Sequence, residues 1–88
     1  MNKKKIDEQK EFAGYRNYDG RKSIIDINNI RDFVVFKNDK TIYISLNGYG
    51  FRDIHTNMTY DELINYLLLH EIDYHLINSK KRNYIILN

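Results

Sequence analysis

Eighty-eight residues leave room for one domain with a single modest core, because small domains bury a smaller share of their surface than large ones. The chain has no cysteine, which excludes disulfides, thiolate metal sites and a cysteine nucleophile. Its net charge of +2 is uneven: residues 1–22 hold Lys3, Lys4, Lys5, Lys10, Arg16, Arg21 and Lys22 against Asp7, Glu8, Glu11 and Asp19, whereas residues 23–88 carry one more anion than cations. The basicity sits ahead of the apolar, fold-forming part, which weakens any nucleic-acid argument made from charge alone.

Residues 1–22 are polar and show no sustained apolar period, so they are expected to form a flexible basic leader, with residues 23–88 as a single α+β domain. The leader is either a solvated arm or a tyrosine-bearing arm that orders on a partner. Ile24, Ile25 and Ile27 then suggest a short strand, although Ser23 with Asp26 three residues on also imitates a helical capping box. Phe33–Lys37 and Thr41–Leu46 flank Asn38-Asp39 and predict a hairpin that pairs Val35 with Ile42 and Phe33 with Ile44. Phe33, Val35, Ile42, Ile44 and Leu46 would face the core.

Residues 47–57 read as a loop with Gly48-Tyr49-Gly50-Phe51. Thr59 with Glu62, flanked by Met58 and Leu63, predicts a helix N-terminus with a capping box and a hydrophobic staple. Tyr60, Leu63, Ile64, Leu67 and Leu68 recur at the helical period, and the helix should end near His70 or Glu71. Tyr74–Asn78 and Asn83–Leu87 predict a second hairpin pairing Ile77 with Tyr84, with Tyr74, Leu76, Ile85 and Leu87 towards the helix. The expected fold is α+β: a four- or five-stranded antiparallel sheet with one helix on one face, in the order β-β-β-α-β-β.

The chemical inventory points away from an enzyme, and no cofactor is expected. His70 and His75 are five apart, roughly 140° around a helix, so they do not reproduce the metalloprotease spacing and no metal site is expected. Gly48-Tyr49-Gly50-Phe51-Arg52-Asp53 has an aspartate where a dinucleotide loop needs its third glycine. Ser23, Ser45 and Ser79 lie in no nucleophile-elbow context, and Asp61 and Glu62 have a capping role, so no catalytic residue is named.

The remaining signal is tyrosine, eight residues in 88. Spacing puts Tyr60 and Tyr74 in the core, while Val34, Phe36, Tyr43, Ile77, Tyr84 and Ile86 share the outer sheet face. Such a face needs a cover. The leader or the Ile24 strand would fold over it, a protein (including a second copy) would dock there, or bases would stack on it. The leading expectation is a small non-enzymatic protein-binding module using those six residues. A homodimer through the outer face or an edge strand is one form of it.

The alternative is a small nucleic-acid binder using Lys3, Lys4, Lys5, Arg16, Arg21, Lys22, Lys80, Lys81 and Arg82. Residue types with AT-rich codons dominate the composition, so an inhibitor of a host or defence protein, encoded by a phage or mobile element, is a concrete version of the first reading. No apolar run approaches the roughly 18 residues of a membrane span, and no apolar segment of a signal peptide follows Lys5. The expected location is cytoplasmic, bacterial or in the host of a phage, with no membrane partner.

Overall fold

The computed structural model describes residues 11–48 and 53–87. In chain order these form β1 (Glu11–Arg16), β2 (Lys22–Asp26), a 3-10 turn (Ile27–Asn29), β3 (Ile30–Phe36), β4 (Ile42–Leu46), β5 (Ile54–Thr56), α1 (Tyr60–Leu69), β6 (Tyr74–Asn78) and β7 (Arg82–Leu87). The strands make one sheet in the order β2-β1-β5-β4-β3-β7-β6, antiparallel at every step. The α+β class, the antiparallel sheet and the single helix agree with the sequence. The strand number does not: among the described residues there are seven rather than four or five.

The two additional strands have different causes. β1 lies in residues expected to belong to the polar leader, but Phe12 is fully buried and packs on Phe33 at 5.4 Å and on Tyr66 at 5.3 Å between ring centroids. Burying that ring contributes about 1.5–3 kcal/mol, and pairing with β2 and β5 supplies the rest of what holds the segment in the sheet. Its second inward position is Gly14, where an added Cβ would lie 2.6 Å from Ile54 and 2.7 Å from Ile25. The glycine therefore marks close packing within a strand and not a loop. β5 is only three residues long, too short to show an alternation.

Around Ser23 the strand forms and the helical alternative does not. Asp26 ends β2 by accepting the Asn28 N–H at 2.9 Å, which caps the 3-10 turn. In the β3–β4 hairpin Val35 pairs with Ile42 and Phe33 with Ile44, the expected register. The loop is wider than two residues: the Phe36 N–H donates to the Thr41 carbonyl, and Lys40 takes φ 62°. The β6–β7 hairpin pairs Ile77 with Tyr84, also as expected.

The start of α1 follows from its capping box. The Thr59 hydroxyl accepts from the Glu62 N–H at 3.2 Å, and the Glu62 carboxylate accepts from the Thr59 N–H at 2.9 Å. The helix closes in a Schellman-type turn. The Glu71 N–H donates to the Leu68 carbonyl and the Ile72 N–H to the Leu67 carbonyl, with Glu71 at φ 55°. Leu63 and Leu67 are buried against a core of Phe12, Ile25, Ile27, Ile30, Phe33, Val35, Ile42, Ile44 and Ile85. Tyr60, Leu68 and Leu76, expected in the core, are exposed instead.

Candidate binding surfaces

Register alone assembles the outer face. One row of outward side chains crosses all seven strands: Lys22, Tyr15, His55, Tyr43, Val34, Tyr84 and Ile77. A second row holds Ser45, Asp32, Ile86 and His75. Val34, Phe36, Tyr43, Ile77, Tyr84 and Ile86 are therefore neighbours, with Phe36 edge-on to Tyr43 at 5.4 Å.

Their accessibility is unequal. Val34 is 2% exposed and forms a floor; Phe36, Tyr43, Tyr84 and Ile86 are half-buried, and only Ile77 is exposed. Ser45 is fully buried and Asp32 nearly so, and the Ser45 Oγ and one Asp32 oxygen have no hydrogen-bond partner. The other Asp32 oxygen accepts from the Arg31 guanidinium at 3.2 Å. At the β1 side, His55 is hydrogen-bonded to the Asn17 side chain.

The basic residues fall at two ends of the sheet. Lys3, Lys4 and Lys5 lie outside the described residues. Arg16 and Arg21 flank Asp19 at 3.9 and 3.5 Å in the β1–β2 turn, and Lys22 is exposed beside them. Lys80, Lys81 and Arg82 lie at the opposite end. There the Lys37 N–H donates to the Lys81 carbonyl, the Lys37 ammonium reaches Asn78 Oδ1 at 2.7 Å, and the Arg82 guanidinium lies 5.5 Å from the Phe36 ring centre. The β3–β4 turn, which carries Lys37 and Lys40, thus lies beside the turn that carries Lys80 and Lys81, a juxtaposition invisible in sequence because the two turns are far apart along the chain. The acid of that end, Asp39, is held below the usual carboxylate range, chiefly by the Thr41 N–H and also by its hydroxyl.

Among the described residues, exposed apolar side chains gather elsewhere, along β6 and the end of α1. Leu76 (57%) and Ile77 (47%) protrude on opposite faces, and Leu68 (59%) and Leu69 (79%) protrude from the end of α1. A groove of about 540 Å³ runs between Leu68 and Leu76, lined also by Leu67, Glu71, Ile72, Asp73 and Tyr74. The backbone there is open. The Ser79 N–H donates to the Arg82 carbonyl, so hydrogen-bonded pairs alternate back through Ile77/Tyr84 and His75/Ile86. The N–H and C=O groups of Tyr74, Leu76 and Asn78 consequently point away from the sheet. The other edge, β2, carries Lys22 and Asp26 at its ends, whereas β6 has no Lys, Arg, Asp or Glu. Alternation assigned Leu76 to the helix side correctly but could not show that the helix stops short of covering it.

The His70 ring lies 4.3 Å from the Tyr66 ring, tilted by 47°, and His75 stands on the outer face of β6. Among the described residues no three His, Asp or Glu side chains are grouped to hold a metal, and no helix is long and apolar enough to cross a membrane. A second cleft, about 880 Å³, lies between the β3–β4 turn and the start of α1. None of the buried unpartnered polar atoms lines it. No family model, curated protein or solved structure matches the chain.

Proposed function

We propose that the chain is a non-enzymatic protein-binding module that takes its partner along the β6 edge and the adjoining groove. The supporting observation is the coincidence of open backbone donors and acceptors with four exposed apolar side chains, Leu68, Leu69, Leu76 and Ile77. Strand addition uses this combination: the backbone supplies affinity, and alternate side chains supply specificity on each face. Ile77 continues into Tyr84 and Ile86, so the half-buried outer face forms the flank of the same surface. The test is retention of proteins from a nuclease-treated bacterial lysate on wild type and on Leu76→Lys, with folding of both checked by circular dichroism. Retention that Leu76→Lys removes and nuclease leaves unchanged is the expected result. Retention indifferent to Leu76→Lys, or abolished by nuclease, overturns the proposal.

A second reading is favoured by the basic end, where the Lys37-bearing and Lys80–Lys81-bearing turns lie side by side next to the Arg82–Phe36 contact. That end suits a single-stranded nucleic acid, with phosphates on the lysines and a base beside the ring. Binding to random oligonucleotides must then fall steeply with salt, and a Lys80/Lys81/Arg82 neutralised variant must lose both affinity and salt slope. No binding at low salt removes this reading.

A further inference from the structure

We infer that the partner of the β6 edge is a second copy of this chain, paired antiparallel about a two-fold axis at Leu76. The inference rests on the reading of the β6 edge as the docking surface and names its occupant. Outward-pointing backbone groups belong to Tyr74, Leu76 and Asn78, a set symmetric about Leu76. A two-fold axis perpendicular to the sheet places Leu76 against Leu76 of the second copy, and Tyr74 against its Asn78. On the outer face His75 meets Ile77, twice. Directly opposed residues of an antiparallel pair share a face, so this register keeps both helices on one side of a continuous sheet. The exposed Leu68 of each helix then flanks the central leucine pair, and the two grooves become one.

Charge selects the same arrangement. Glu71 and Asp73 precede β6 and Lys80 and Lys81 follow it, all four exposed. Antiparallel pairing brings the acidic end of each copy against the basic end of the other, twice per dimer. Parallel pairing would set like against like. Pairing of β6 with the β2 edge of another copy would leave a further edge open at each step and grow a chain of molecules; in the antiparallel form Lys22 falls at the basic end of β6 and Asp26 at its acidic end, which opposes it. The isologous β6 pair closes.

The test uses two charge-reversed chains, Glu71→Lys/Asp73→Lys and Lys80→Glu/Lys81→Glu, measured by sedimentation equilibrium over a concentration series at low salt. The changes are at exposed positions, and circular dichroism confirms the fold of each. Wild type is expected to move from monomer to dimer mass. Each reversed chain alone should associate at least about tenfold more weakly, because both of its interface ends then carry one sign. An equimolar mixture of the two should recover the dimer, since every acidic end again meets a basic one. A wild type that stays monomeric at all concentrations, or a mixture no better than its components, overturns the inference. Monomeric wild type together with Leu76-dependent retention of another protein would leave the β6 docking surface standing and remove only the second copy.

Discussion

Replacing Gly14 by alanine pits a local gain against a packing cost. In a strand, alanine is favoured over glycine by about 0.5–1 kcal/mol, because glycine loses more freedom on folding. Against that, the new Cβ would sit 2.6 Å from Ile54 Cγ2, 2.7 Å from Ile25 Cδ1 and 3.2 Å from Ile44 Cδ1, where ordinary contact begins near 3.4 Å. The two Cδ1 atoms end flexible branches and swing aside. Ile54 Cγ2 branches at Cβ and moves only if a stiff χ1 or the strand itself moves. Overpacking of this kind costs about 1–3 kcal/mol, so the net loss should be about 0.5–2 kcal/mol. At this chain length each kcal/mol corresponds to about 4–8 °C, so the thermal midpoint should fall by roughly 2–16 °C. Urea denaturation should show a lower midpoint with an unchanged slope. Adding Ile54→Ala removes the obstructing Cγ2, so the two changes together should cost less than the sum of each alone, a non-additivity that reports contact. A midpoint that rises in Gly14→Ala would refute the close approach of β1 to the core.

Thr59→Ala should lower the denaturation free energy by about 1 kcal/mol, since it removes the acceptor of the Glu62 N–H and breaks the capping box. Glu71→Gly should raise it by about 0.5–1 kcal/mol, because glycine adopts the left-handed conformation at φ 55° without strain. Burial pushes the Tyr66 phenol above its ordinary value. A raised acid contributes stability that is complete below the unfolded-state value and lost as pH climbs towards the folded one. Alkaline titration by absorbance should therefore show a late phenolate that Tyr66→Phe removes, with less alkaline destabilisation in the variant. Leu76→Pro should lower the thermal midpoint much less than Ile77→Pro, since the Leu76 N–H points off the sheet while the Ile77 N–H bonds to Tyr84. Equal losses in the two would contradict the assigned edge.

Much of the fold is legible in the sequence where the controlling interactions are local. The β3–β4 and β6–β7 registers follow from alternation around a short turn, and the start of α1 follows from four residues that satisfy each other. What stays hidden is set at a distance. Gly14 resembles a loop residue until Ile54 and Ile25 are seen beside it, and Ile54-His55-Thr56 is a strand only because β1 and β4 lie on either side. The same limit applies to the candidate surface. Alternation places Val34 on the outer face and Leu76 on the inner one. Cover then reverses their exposure: the outward Val34 is buried between Tyr43 and Tyr84, while the inward Leu76 emerges at an edge the helix does not reach. Lys37 and Lys40 look like ordinary turn residues until β7 pairs with β3 and sets the two basic turns side by side.

That β3–β7 pairing governs how evenly the molecule holds together. Three of its antiparallel pairs, β1–β2, β3–β4 and β6–β7, are hairpins that close locally, but Val34 meets Tyr84 across more than half of the chain. Closing such a contact is slow, because chain entropy is lost before the contact is gained, so docking of preformed hairpins should limit the folding rate. Once docked, β3 is bonded on both sides and buried at Ile30, Phe33, Val34 and Val35, so its amides open only when the whole sheet does. The amides of Tyr74, Leu76 and Asn78 have no such protection within one copy. In hydrogen exchange this sheet should not behave as a uniform plate. It should show slow exchange at β3 and fast exchange along the open side of β6.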